Sequence, residues 1–461
     1  MTKEDINIIK NLNNGDLNKY LDPHNGVKTL SFVLEKLGKL PDKFDGKYFI
    51  SLTRHKSEKI RLLAVKNIGK LCDEAYIDIL KEISVSDEST MVRREAVSSI
   101  GRMKNKKSIP FLIERLNDPD PKVILQSIRG LLVFKGDVQA DAELKKLINH
   151  PNEIIKGVIE DEFFHNSKEQ NTEEHTKSPD YLKNTVVNGD VLDIIKLIPD
   201  ESVHLTFTSP PYYNARDYSI YQSYHEYLEF LRNVFKEVHR ITKEGRFLVL
   251  NTSPIIIPRV SRQHSSIRYP IPFDIHPYLI EMGWEFVDDI IWLKPEGSAK
   301  DRNSGFRQHR KPLAYKPNAI TEYLMVYRKK TNKLIDWNIR QYDDQTVAES
   351  KVLNEIDRTN VWYIDPTFDK THTAVFPIEL CVRVLKYYSF KNDLVFDPFG
   401  GSGTLGKAAQ TLGRYYFMTE ISKKYFERIK ENLKQNDFFN SEFDQKFYTY
   451  DEFNNIIKEH Q

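Results

Sequence analysis

Between Glu58 and Glu160 this chain of 461 residues repeats itself, and a repeat of that length constrains architecture before any single residue does. Ile60-Arg61-Leu62-Leu63-Ala64-Val65, followed by Ile68-Gly69, returns 32 residues later as Val92-Arg93-Arg94-Glu95-Ala96-Val97, followed by Ile100-Gly101. A third copy, Val123-Ile124-Leu125-Gln126-Ser127-Ile128 with Leu131, lies 31 residues on, and Ile154 to Ile159 begins a fourth. Apolar residues recur at helical spacing within each copy. Ser84-Val85-Ser86-Asp87 and Asp118-Pro119-Asp120-Pro121 cap and break the helices between copies. A unit this thin buries its apolar face only against its neighbours.

The pattern resembles HEAT repeats, so residues 1–165 are expected to form an all-α helical-repeat domain. Lys56, Lys59, Arg61, Arg93, Arg94, Arg102 and Lys104 make a DNA-facing surface on it conceivable. The stretch from Asn166 to Pro179 is polar and almost free of apolar residues, so 166–180 is expected to be a linker. From Thr185 onward short apolar runs alternate with helical stretches, which predicts an α/β sheet. Strands are expected at Thr185–Asn188, Val203–Thr208, Arg246–Asn251, Trp284–Leu293, Thr321–Arg328, Leu394–Asp397 and Tyr415–Thr419. Helices are expected at Glu226–Ile241, Pro272–Met282, Phe376–Phe390, Thr404–Leu412 and Lys423–Lys434. Pro258 to Pro270 and Pro295 to Pro317 read as long loops, which in a compact domain are usually functional. The aromatic tail 437–461 is expected to pack on a domain.

Composition excludes several classes. Only Cys72 and Cys381 are present, which argues against a disulfide framework and against a metal site, and none is expected. No apolar run reaches the length of a membrane span, and the polar start, with Lys3, Glu4 and Asp5, lacks the apolar segment of a secretory signal. A cytoplasmic protein without a membrane partner is expected. The formal charge of +2 means that any polyanion-binding surface must be a local patch.

Two blocks carry chemistry. Thr208-Ser209-Pro210-Pro211-Tyr212 follows an apolar strand; its two prolines fix the backbone and remove two N–H donors, leaving the Pro210 carbonyl free to accept from a ligand. Ser209 adds a hydroxyl acceptor, and Tyr212 a flat face for a base. Far downstream, Asp397-Pro398-Phe399-Gly400-Gly401-Ser402-Gly403-Thr404 joins a buried strand to a helix through a glycine cluster that lets backbone approach a nucleotide. Glu420, at the end of the next strand, can accept from both ribose hydroxyls. Lys407 lies well inside the helix, away from the place where a phosphate-binding loop needs its lysine, so a nucleoside is favoured over ATP.

In this order the two blocks resemble the permuted group of the DNA amino-methyltransferase family, which methylates cytosine N4 or adenine N6. The resemblance covers roughly Asp180 to Asn436, and residues 181–436 are read as the catalytic domain. Asn188-Gly189-Asp190 resembles the family's adenine-contacting turn, with Asp190 as the acceptor. Ile291-Trp292-Leu293-Lys294-Pro295 resembles its late-strand block, and His372-Thr373-Ala374-Val375-Phe376-Pro377 the segment beside the methionine end. The resemblance implies a doubly wound, Rossmann-like sheet of seven strands with one antiparallel. It implies S-adenosylmethionine as cofactor, held by Asp190, Phe376, Asp397, Pro398, Phe399, Gly400, Gly401, Ser402, Gly403, Thr404 and Glu420. Ser209, Pro210, Pro211 and Tyr212 are the implied catalytic residues, and target recognition is implied within about 295–370.

An exocyclic amine is a weak nucleophile because its lone pair is delocalised, and acceptors at Ser209 and Pro210 can localise it for direct displacement. The amine is buried in the duplex, so the base must be rotated out, stacking on Tyr212. Methylation of cytosine C5 needs a thiolate, and neither cysteine fits. Ser209 in the first position resembles the N4-cytosine subgroup, with adenine N6 the alternative and an inactive DNA-binding or scaffold protein the competitor from another class. Arg302, Arg307, Arg310 and Lys311 in one loop, with Arg259 and Arg262 in another, suit double-stranded DNA. A cognate restriction endonuclease is the further partner considered.

Overall fold

The computed structural model describes residues 2–12, 17–41, 44–164, 175–213, 221–257, 261, 263–264, 266–299, 301–352, 358–367, 377–434 and 444–460. It divides into two units, Met1–Gln170 and Asn171–Gln461.

The first unit is helical. Glu58–Leu71 is followed by Ile77–Ser86, Thr90–Arg102 by Ile109–Glu114, and Pro121–Leu132 by Val138–Lys145, before Glu153–Ile159 begins another turn of the array. Helix starts follow the period because capping residues do: the side chains of Ser89, Asp120 and Asn152 accept from the amides of Val92, Lys122 and Ile154. One core runs from Ile6 to Ile159, so each pair is stabilised by the next. The repeat also spaces ion pairs. Arg61 grips Asp87 through two contacts of 2.8 and 3.0 Å, and Arg93 reaches Asp118 at 3.7 Å. Glycine sits where first helices touch, since a Cβ on Gly101 would come within 3.0 Å of the Gly130 Cα. The basic surface considered above shrinks accordingly: Arg61 and Arg93 are consumed inside the array, Arg102 pairs with Glu95, and Lys59 with Glu35.

The second unit is built on a nine-stranded sheet whose strands are β1 (Thr185–Asn188), β2 (Val203–Thr208), β3 (Thr242–Thr252), β6 (Trp284–Leu293), β7 (Thr321–Lys329), β8 (Val361–Tyr363), β9 (Leu394–Asp397), β10 (Tyr415–Glu420) and β11 (Lys446–Thr449). A separate hairpin pairs β4 (Ile255–Ile257) with β5 (Ile267–Tyr269). The order is β11-β1-β10-β9-β2-β3-β7-β6-β8, and β7 alone runs against its neighbours. The seven expected strands occupy the middle, and one short strand is added at each edge. The fully buried β9, apolar but for its last residue, is what a central parallel strand covered on both faces requires. Cores lie on both faces of the sheet. The helix Tyr224–Ile241 covers one face with Tyr227, Leu228, Leu231, Val234, Phe235, Val238 and Ile241; Ser223 caps it at the Glu226 amide, and Glu226 reaches back to the amide of Gln222.

Several boundaries differ from expectation. The tail is part of the sheet: β11 pairs with β1, and the helix Tyr450–His460 buries Phe453 and Ile457, because β1 would otherwise be an uncovered edge. Residues 175–180 of the expected linker are held to the second unit, since Thr176 and Ser178 donate to the carbonyls of Glu201 and Ser202. The loop Pro258 to Pro270 contains β5, and Pro295 to Pro317 contains the short helix Ser304–His309. The helix expected at Phe376–Phe390 is described as Ile378–Tyr388, following Pro377.

Candidate active site

Adjacent strands bring the two sequence blocks together. β2 pairs with β9 in parallel, Leu205 opposite Val395 and Thr206 opposite Phe396, so the Ser209-Pro210-Pro211-Tyr212 turn and the Asp397-to-Thr404 loop leave the same end of the sheet. They are tied there, the Thr208 hydroxyl donating to Asp397 Oδ1 at 2.7 Å inside the protein. The same oxygen accepts from the Phe399 amide at 3.0 Å, fixing the start of the glycine loop. Gly400 donates to the Thr419 carbonyl (2.8 Å), and Thr419 Oγ1 donates to the Pro398 carbonyl (2.6 Å), so the loop lies on β10. Close approach requires glycine: a Cβ at Gly400 would meet the Thr419 carbonyl at 3.2 Å, and Gly403 has φ +80°. Ser402 and Thr404 share a hydroxyl contact of 3.0 Å at the helix start.

Glu420 closes this pocket from β10. Its carboxylate accepts from the amides of Gly401 and Ser422, both at 2.8 Å. Asn188 and Gly189, on the neighbouring β1, bond to the Glu420 carbonyl at 2.7 and 3.1 Å, which places Asp190 on the same rim. Asp190 is exposed and caps the helix Val191–Ile194 through the Leu192 amide. Burial pushes the Asp397 carboxyl up to about 6 and the Glu420 carboxyl up to about 7. Among the described residues no cation offsets either of them; their hydrogen bonds come from a hydroxyl and from amides. Two buried acids, narrow glycine backbone and no basic phosphate ligand suit a nucleoside that carries donors and positive charge, and repel a polyphosphate.

Across the cleft, three residues that the motif reading did not single out as catalytic join Ser209 and Tyr212. Asn251, near the end of β3, donates to Glu322 Oε2 at 2.6 Å, and its amide nitrogen lies 3.5 Å from Ser209 Oγ. The Tyr212 hydroxyl donates to the same Glu322 oxygen at 3.2 Å. Lys294, just past β6, forms an ion pair with Glu322 through its other oxygen. Burial, with Glu322 beside it, pushes the Tyr212 phenol well above its ordinary range, while hydroxyls of Ser209 and Ser253 bond to it in opposition. Tyr212 is thus held at its tip, leaving the ring fixed in the cleft wall. The clue available in sequence was modest: Lys294 stands in a quoted block, and Glu322 is an acid leading into the apolar run Tyr323 to Tyr327.

The loop between β6 and β7 springs from the same end of the sheet, because Leu293 pairs with Thr321 there. Of the basic residues on it, Arg310 and Lys311 are exposed, Arg307 pairs with Asp301, and the Arg302 amide donates to Asn318 (2.8 Å). Arg259, Arg262 and Phe376 lie outside the described residues. The implied recognition region is divided between the two ends of the strands. Residues 335–350 pack at the opposite end of the strands, where Asn338 donates to the Gly245 carbonyl and Tyr342 to Asp393. Gly245 is seven residues before Thr252 on β3, about 23 Å of extended chain from the cleft. Cys381 is fully buried and its thiol is pushed well up by burial, as a core residue. Among the described residues there is no cluster that could hold a metal ion, and no helix is long and apolar enough to cross a membrane.

The geometry shows a doubly wound sheet that holds a rigid proline turn and a glycine loop side by side at its strand ends, an arrangement that by itself serves many chemistries. Relatives narrow it. Residues 203–431 match the DNA methylase family of N6 and N4 methyltransferases, and residues 46–132 and 83–160 match HEAT repeats. The chain is 32% identical over 255 residues to the orphan methyltransferase M.BamHII of Bacillus amyloliquefaciens, covering 51% of this chain and 91% of that one. It is 28% identical over 286 residues to the type II methyltransferase M.Cfr9I of Citrobacter freundii, covering 55% and 88%. A putative DNA modification methylase from Thermus thermophilus, solved with S-adenosyl-L-methionine, aligns with a TM-score of 0.47 and 25% identity over 58% of this chain and 98% of that one. The chain belongs to the N6/N4 DNA methylase family, the S-adenosylmethionine-dependent DNA methyltransferases that act on cytosine N4 or adenine N6.

Proposed function

We propose that this enzyme methylates the exocyclic N4 amine of cytosine within a short duplex sequence, and serves as the protective member of a restriction–modification pair. The observation that carries the chemistry is the Thr208–Asp397 bond, which sets the acceptor turn and the nucleoside pocket side by side. S-adenosylmethionine, when bound, supplies an electrophilic sulfonium methyl. Backbone from Asp397 through Pro398, Phe399, Gly400, Gly401, Ser402, Gly403 and Thr404 would line its site, with Glu420 accepting from the ribose hydroxyls, Asp190 from the adenine amine, and Phe376 beside the methionine end.

Ser209 Oγ and the Pro210 carbonyl accept from the target amine, drawing its lone pair out of conjugation and aiming it along one line. Pro211 keeps the turn rigid. The fixed Tyr212 ring offers a face on which an extruded base can stack, offsetting part of the roughly few kcal/mol of unstacking. Arg302, Arg307, Arg310 and Lys311, with Arg259 and Arg262, would meet the duplex. Cytosine is favoured over adenine by Ser209 in the first position of the turn, and the restriction role by relatives named as type II methyltransferases.

Incubating DNA with labelled S-adenosylmethionine and identifying the modified nucleoside tests this directly. Label in N4-methylcytosine is expected; label in N6-methyladenine transfers the reading to the other amine, and no label overturns it. Ser209→Ala should lower the rate of methyl transfer about a hundredfold while leaving cofactor affinity unchanged.

A further inference from the structure

We propose that Glu322 is a positioning residue for methyl transfer, acting through Tyr212 and Asn251 to hold the Ser209 hydroxyl as an acceptor. The inference rests on Ser209 being the acceptor of the target amine.

A serine hydroxyl can donate or accept, and a hydroxyl that turned its proton toward an amine would repel the N–H it is meant to grip. Something must commit that proton elsewhere. An ionised carboxylate only accepts, so every group bonded to it is forced to donate. Glu322 receives two such bonds on one oxygen, from the Tyr212 hydroxyl and from the Asn251 amide nitrogen. With its own proton spent on Glu322, the Tyr212 oxygen is left as an acceptor, so a serine hydroxyl that bonds to it must donate. Asn251 is locked the same way: its amide nitrogen must face Glu322, which turns a donor toward Ser209 Oγ. Ser209 therefore gives its proton to Tyr212 and keeps a lone pair for the substrate.

Lys294 completes the device. Both charged side chains are largely buried, at 21% and 15% exposure, and a lone carboxylate there would carry a desolvation penalty. The lysine offsets that penalty by binding the oxygen that Tyr212 and Asn251 do not use. The members come from four places in the chain: the turn after β2, the end of β3, the residue after β6 and the second residue of β7. The antiparallel pairing of β7 with β3 brings Glu322 beside this group, since Tyr323 sits opposite Thr252.

The test is single-turnover methylation by Glu322→Gln, which keeps the shape but can donate and so lets the chain of bonds reverse. The transfer rate is expected to fall at least tenfold with cofactor affinity and DNA KM unchanged. In a Ser209→Ala background the same change should cost no further rate, because the group it orients is gone; an additional tenfold loss there would overturn the proposal. Should Glu322→Gln fail to fold, Tyr212→Phe interrupts the chain while sparing the Lys294 pair, and a wild-type rate in that variant would overturn it equally. Wild-type protein that transfers no methyl overturns both this inference and the reading beneath it, whereas an active wild type matched by Glu322→Gln overturns this inference alone.

Discussion

Asp393 and Asp397 bracket the same short strand, and the protein treats them in opposite ways. Asp393, before β9, is nearly inaccessible and surrounded: Arg246 forms an ion pair with it, Tyr342 donates to it at 2.5 Å, and His204 Nε2 lies 3.5 Å away. Burial opposes its charge, but Arg246 holds the carboxyl below its ordinary range. His204 accepts from the Leu394 amide through Nδ1 and is kept uncharged by burial, so its Nε2 carries the proton toward Asp393. Asp397, at the other end, has a hydroxyl and an amide but, among the described residues, no cation, and burial drives it up. Equal burial with unequal company separates a carboxylate that holds a fold from one proposed to meet a ligand.

That contrast can be broken by substitution. Asp393→Ala leaves the Arg246 guanidinium uncompensated in the interior and should lower unfolding stability in urea by about 3–5 kcal/mol. Asp397→Asn, which can still accept from Thr208 and Phe399, should shift it by about 1 kcal/mol or less. Similar losses from the two would erase the distinction.

The Asp397 end can be sharpened by pH. Glu420 has a folded-state carboxyl raised from 4.5 to about 7, so its contribution to the stability of the ligand-free protein is present at acid pH and lost as pH rises through about 7. Cofactor binding carries the opposite sign, because only the ionised form accepts with both oxygens. Affinity for S-adenosylmethionine should therefore weaken about tenfold per pH unit below about 7, measured by calorimetry in buffers of different ionisation enthalpy to count the protons released. Affinity that does not respond to pH would remove Glu420 from the pocket.

The smallest expected effects lie in the surface charge. Arg310→Ala or Lys311→Ala should each reduce by about 1 the slope of log DNA affinity against log salt, equally for all sequences. Charge changes between Asp336 and Ser350, at the far end of the strands, should leave that slope alone.

What could be read from residues beforehand follows the range of the interactions involved. The seven central strands and the helix repeats were legible because each is set by local period and capping, as Ser89, Asp120 and Asn152 show. Ser209, Asp397 and Glu420 stood out because proline pairs and glycine clusters have few structural uses. Asn251 and Glu322 did not, since their meaning comes from a register between β3 and β7 that no local pattern encodes. The edge strands β8 and β11 are three and four residues long, too short for alternation to register. The packing of Asp336 to Ser350 was not legible either, because Asn338 and Tyr342 spend their polarity on the distant Gly245, Arg246 and Asp393.

The pairing of β1 has an outcome for synthesis on the ribosome. Both of its neighbours, β10 and β11, are made more than two hundred residues later, as the pairing of Asn188 with Glu420 and Thr449 shows. A nascent chain can finish its helical repeats early, yet β1 must wait unpaired until β10 is made. Messages cut short before Tyr415 would leave β1 without either of its neighbours.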